Sequence, residues 1–105
     1  MSFQPKLVRD RIPEIIKKNG TSCEFVTMSQ AEHRRRLCDK MREELDEFSL
    51  EPSVEEAADM YEVFLAMLEE WGYSLTEVRQ EADWKRNERG GFREKILLKT
   101  IGQPV

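Results

Sequence analysis

This chain has little of what zinc proteins and secreted domains are built on: two cysteines, one histidine, four prolines and five glycines in 105 residues. Cys23 and Cys38 show no metal-ligand spacing and are too few to frame a disulfide-rich domain. Reduced thiols in a cytoplasmic protein are therefore the expectation, with a single disulfide left open. With His33 as the only histidine, there is no Cys/His cluster of the kind that favours zinc. No apolar run approaches the roughly 20 residues of a membrane span, and Met1 to Lys6 lack the apolar stretch of a secretory signal. A formal charge of −4 speaks against general affinity for nucleic acid or an anionic membrane, leaving only local basic patches. The length suits one domain spanning residues 1–105, able to bury roughly 60% or slightly more of its unfolded surface.

What the chain does have is charge, 36% of all residues, and some of it falls where solvated charge does not belong. Along Val54 to Glu69, at 100° per residue, Val54, Ala57, Ala58, Tyr61, Phe64, Leu65 and Leu68 form one apolar face. Met60, Val63 and Met67 form a second stripe on roughly the opposite side, and Glu56 and Asp59 lie just around the helix from it. The preceding helix, about Gln30 to Phe48, carries Leu37, Met41, Leu45 and Phe48 on its stripe, with Cys38 at one edge and Glu44 and Glu47 at the other. Glu43 projects nearer solvent, so the inward role falls to Glu44.

Both acidic pairs have i,i+3 spacing, which puts each pair on one helix face. Two antiparallel helices then bring four carboxylates towards a common point. Like charges about 4 Å apart repel by roughly 4 kcal/mol at an effective dielectric near 20. A divalent cation turns that repulsion into coordination, and oxygen ligands without clustered Cys or His favour Mg²⁺ or Mn²⁺. Such a site suggests phosphate-ester or phosphoanhydride chemistry. Each carboxylate also has an ordinary reading. Ser53 to Glu56 is a capping box, repeated at Ser29 to Glu32 and Ser74 to Glu77, while Glu44 has Lys40 as an i−4 partner and Glu47 fits a solvated charge.

Four helices and two short extended segments follow from the pattern. Asp10 is placed to cap a first helix of about Arg11 to Asn19, with Pro13 in its first turn, Lys17 and Lys18 near its end, and Gly20 closing it. Cys23 to Thr27 has strand composition. Ser49 to Pro52 is a connection short enough to make the two acidic helices antiparallel neighbours. After Trp71-Gly72-Tyr73, a last helix starts at Ser74 or Thr76 and runs to about Glu88. Gly90-Gly91 is a turn, and the apolar run Ile96-Leu97-Leu98 within Arg93 to Lys99 can pair with Phe25-Val26. The expected fold is all-α, an antiparallel helical bundle of about four helices with a small two-strand β ribbon.

Lys85 and Arg89, at i,i+4 near the end of the last helix, suit a polyphosphate. Gly90 and Gly91 allow close backbone approach, and Phe92 or Trp84 suits stacking on a base; a solvated helix end with a glycine cap accounts for the same residues. Arg34, Arg35 and Arg36 scatter around their helix, which fits a solvated face better than an RNA-binding patch. His33 could in principle offer a general base, but an exposed histidine without that role fits better. Met60, Val63 and Met67 fit either core or a subunit interface.

Lys6 to Ile16 (KLVRDRIPEII), Lys40 to Glu47 (KMREELDE), Glu55 to Asp59 (EEAAD) and Lys85 to Phe92 (KRNERGGF), in that order, resemble the MazG-like, all-α nucleoside triphosphate pyrophosphohydrolases. More narrowly, the chain resembles the small phosphoribosyl-ATP pyrophosphohydrolase-like proteins, with likeness running from about Lys6 to Leu98. The resemblance implies hydrolysis of a nucleoside triphosphate to monophosphate and pyrophosphate, with Mg²⁺ (or Mn²⁺ in its place) held by Glu44, Glu47, Glu56 and Asp59. It also implies that Lys85 and Arg89 approach the phosphates, with Asn87 beside them. Arg9 or Arg11 becomes a phosphate or subunit contact, and the assembly a homodimer or homotetramer. Glu47 or Glu44 is the expected catalytic carboxylate that orients or deprotonates water. The short connection between Glu47 and Glu56 leaves little loop for base recognition. Phosphoribosyl-ATP is therefore not carried over as substrate, and house-cleaning of noncanonical nucleotides is the preferred setting. The alternative is a noncatalytic helical interaction and oligomerisation module in which the acidic residues are caps and surface pairs.

Overall fold

In a computed structural model that describes residues 3–104, the chain is all-α. Its elements are α1 (Ile12–Lys18), α2 (Gln30–Leu50), α3 (Val54–Trp71) and α4 (Leu75–Arg89). They fall into two compact units, Met1–Tyr73 and Ser74–Val105. No helix is long and apolar enough to cross a membrane among the described residues.

Three helices start where a serine hydroxyl can accept an orphan backbone N–H two to three residues into the first turn. Ser29 Oγ accepts from Glu32 N at 3.2 Å, Ser53 Oγ from Glu56 N at 3.1 Å, and Ser74 Oγ from Glu77 N at 3.3 Å. The first helix departs from expectation. Arg11, not Asp10, is its N-cap residue, and no side chain caps it. Ile12 N–H instead closes a turn onto Arg9 O at 3.1 Å. That turn leaves Asp10 one position too early to reach the free N–H groups.

The helix ends are set by glycines that accept left-handed backbone. Gly20 has φ +87° and Gly72 φ +76°. After each, the chain folds back on the helix it leaves: Thr21 N–H donates to Ile16 O at 3.2 Å, and Tyr73 N–H to Leu68 O at 2.8 Å.

The β ribbon does not form among the described residues: Cys23 to Thr27 and Arg93 to Lys99 are both irregular. Lys95, inside the second run, sits at φ +59°, which interrupts an extended strand. Ile96, Leu97 and Leu98 remain exposed. Composition favoured extension there, but a strand needs a ladder partner to satisfy its backbone.

Within the first unit, α2 packs against α3. Contacts run in reversed order along the two helices. His33 near the start of α2 meets Glu70 near the end of α3, and Glu44 late in α2 meets Glu56 and Asp59 early in α3. These meeting points show which stripe of α3 faces α2: Glu56, Asp59, Met60, Val63, Met67 and Glu70 are all half-buried. The larger apolar face, expected as core, is open at its first half, with Val54, Ala57, Ala58 and Tyr61 exposed. The core is correspondingly thin. Leu37 is the one buried apolar residue among those described, and the one buried charged residue is Glu44, 6% exposed.

Candidate metal centre

Helical geometry makes Glu44 the centre of the acidic site. Its place one turn after Lys40 and on the α3-facing side of α2 buries its side chain, whereas the adjacent Glu43 points outward and is exposed. From α3, Glu56 in the first turn and Asp59 one turn on complete a group in which one oxygen of each of the three carboxylates lies within 4.8 Å of the others. Glu43, Glu44 and Glu47 meet the same criterion on the α2 side. Glu44 thus belongs to both groups, and Glu47 sits exposed at the rim.

Two cations reach the cluster. Lys40 Nζ lies 3.5 Å from Glu44 Oε1 and 3.6 Å from Glu43 Oε1. Arg9 Nη2, from the irregular segment before α1, donates to Asp59 Oδ1 at 2.8 Å. They leave the inner surface unsatisfied: Glu44 Oε2 and Glu56 Oε2 are buried with no hydrogen-bond partner among the described residues. The capping box at Ser53 is accordingly half formed, since Glu56 gives its backbone N–H to Ser53 Oγ while its carboxylate is aimed elsewhere.

Electrostatics follow from this packing. Burial pushes the Glu44 carboxyl above the usual carboxylate value, Glu47 and Asp59 push it the same way, and Lys40 opposes. Glu56 is raised too, by desolvation first and then by Asp59 and Glu44. Buried carboxylate oxygens without donors carry a large desolvation cost. A hard divalent cation supplies what they lack, and the all-oxygen donor set fits Mg²⁺ or Mn²⁺.

The remaining candidates are placed differently. Arg11 turns to Glu14, Nε to Oε2 at 3.4 Å, away from the carboxylate cluster. Lys85, Asn87 and Arg89 lie exposed in the last turns of α4, in the second unit. Beside them Arg86, Gly91, Phe92 and Arg93 line an open depression. A separate groove beside α1, lined by Asp10, Pro13, Lys17, Cys23 and Phe25 among others, includes none of the clustered carboxylates. Arg35 and Arg36 pair with Glu32.

Two long-range pairings escaped the sequence reading. One is Arg9 with Asp59, 50 positions apart. The other is the Glu70 carboxylate, which bonds His33 Nδ1 at 2.8 Å and Arg34 Nε at 3.3 Å while Arg34 lies over the Trp71 ring. Glu70 already has a partner on each oxygen, so His33 is explained by its structural role.

No protein-family model matches the chain, and comparisons with curated proteins and with solved structures likewise give no match.

Proposed function

We propose that the chain is a Mg²⁺-dependent nucleoside triphosphate pyrophosphohydrolase that releases a nucleoside monophosphate and pyrophosphate. The observation that carries this reading is the buried Glu44 carboxylate, with an unpartnered Oε2 beside the oxygens of Glu56 and Asp59. The ordered motifs that resemble MazG-like enzymes add to it. In this reading Glu44, Glu56 and Asp59 hold the metal and Glu47 closes the rim. Bound there, Mg²⁺ or Mn²⁺ neutralises phosphate charge and acidifies a water.

The chain's own residues do the rest. Glu47, exposed at the rim, orients the attacking water and accepts its proton, with Glu44 as the other candidate base. Water adds to phosphorus as the α–β phosphoanhydride bond breaks. Lys85 and Arg89 offset the charge of the phosphates, with Asn87 beside them, and Arg9 and Arg11 are cations of the N-terminal block. Noncanonical nucleotides in the cytoplasm are the proposed substrates.

The antiparallel bundle of about four helices belongs to the same proposal, completed by self-association as a homodimer or homotetramer. Val54, Ala57, Ala58 and Tyr61 on α3 are the face a second copy would cover.

The noncatalytic interaction module keeps one observation in its favour, since Lys40 and Arg9 already pair with Glu44 and Asp59. Incubating the protein with Mg²⁺ and a panel of ordinary and modified nucleoside triphosphates separates the two. The enzyme reading expects turnover that Glu44→Gln and Asp59→Asn abolish without unfolding the chain. The module reading expects none.

A further inference from the structure

The Arg9–Asp59 pair has the features of a contact made to be exchanged. The backbone around Arg9 is held at both ends: Pro5 O accepts from Arg36 Nη1 at 3.0 Å, and Arg9 O accepts from Ile12 N–H at 3.1 Å. Leu7 and Val8 between them are half-buried. The side chain that leaves this fixed point is 59% exposed and bonds one carboxylate oxygen through one nitrogen, rather than by the two-pronged grip that makes arginine–carboxylate pairs strong. Asp59 Oδ2 takes no bond from it, and the other guanidinium N–H groups make no hydrogen bond among the described residues. Lys40 is different, being 24% exposed and held between two glutamates.

Exposure and direct competition decide which cation gives way. Five carboxylates, Glu43, Glu44, Glu47, Glu56 and Asp59, meet two cations here. A divalent ion added at Glu44, Glu56 and Asp59 competes with Arg9 for the Asp59 carboxylate, and Arg9, far more exposed than Lys40, is the cation free to turn away. A released arginine on an anchored backbone then carries unused donors beside the metal, where an anionic ligand arrives.

We infer that Arg9 is the exchangeable counter-cation of the acidic site: it neutralises Asp59 in the free protein and, once a divalent ion is bound, donates to the oxygens of a polyphosphate. The inference rests on the metal-site reading and gives Arg9 opposite effects on two ligands. Removing its charge strengthens binding of the bare ion, because a positive neighbour is gone, and weakens binding of polyphosphate to the loaded site, because a donor is gone.

The test is titration calorimetry of the full chain and of Arg9→Ala and Arg9→Lys, first with Mn²⁺ alone and then, at saturating Mn²⁺, with imidodiphosphate. Circular dichroism checks that each variant is folded. Arg9→Ala should bind Mn²⁺ about 3- to 10-fold more tightly and imidodiphosphate roughly 10-fold more weakly. Arg9→Lys should leave the Mn²⁺ affinity near that of the wild type and lose part of the imidodiphosphate affinity. Unchanged affinities in Arg9→Ala, or weaker Mn²⁺ binding, overturn the inference while leaving the metal site standing; the latter would make Arg9 a positioning residue for Asp59. A wild-type chain that takes up no Mn²⁺ overturns both.

Discussion

Lys40 Nζ lies 3.5 Å from Glu44 Oε1, while Glu44 Oε2 is buried with no hydrogen-bond partner among the described residues. One side of the most buried charge in the first unit is therefore neutralised and the other is not. In a folded chain without metal this carboxylate is a net cost, which its raised pKa expresses.

Glu44→Gln should therefore stabilise the metal-free protein at neutral pH by on the order of 1 kcal/mol, the relieved like-charge repulsion being offset in part by the loss of Lys40's partner. An acid whose pKa is raised by folding holds its proton more tightly folded than unfolded. Its favourable share is complete below the ordinary value of 4.5 and is lost as pH rises through the raised value. The gain from Glu44→Gln should thus be largest at neutral pH and vanish below about pH 4.5. Urea midpoints of the two proteins in chelator, measured across pH, read the difference directly. The comparison cancels other groups such as Glu32, whose pKa is lowered by Arg35 and Arg36 and which acts in the opposite sense.

Leu37 is 2% exposed and is the one buried apolar side chain among the described residues, on the helix that packs against α3. Leu37→Ala should cost about 2–5 kcal/mol, seen as a lower denaturation midpoint.

Tyr61 is 52% exposed on the α3 face that a second copy is proposed to cover. Tyr61→Asp should convert the assembly to monomer in light scattering coupled to size exclusion, through an unpaired charge in the interface. Helix content should be retained, because the side chain is half solvated within one chain. An unchanged mass would remove this face from the interface.

Local features were the legible ones. The serine caps of α2, α3 and α4 are i to i+3 contacts, so spacing alone located the three helix starts, and helical projection correctly turned Glu44 inward and Glu43 outward. Both apolar stripes of α3 could be read, but which one meets α2 is decided by tertiary packing. It fell to the stripe bearing Met60, Val63 and Met67. Arg9 with Asp59, and His33 with Glu70, join residues 50 and 37 positions apart, beyond the reach of any periodicity. The ribbon expected at Phe25-Val26 and Ile96 to Leu98 failed for the complementary reason. Strand composition is local, whereas the partner a strand requires is not.

The central claim is a metal-assisted cleavage that separates pyrophosphate from a nucleoside monophosphate. Phosphorus NMR of the products formed from a triphosphate that the protein turns over, with Mg²⁺ present and with Glu44→Gln alongside, tests it most directly. The account predicts monophosphate and pyrophosphate in equal amounts from the wild type and neither from the variant. Diphosphate with orthophosphate, or equal product from Glu44→Gln, would contradict it.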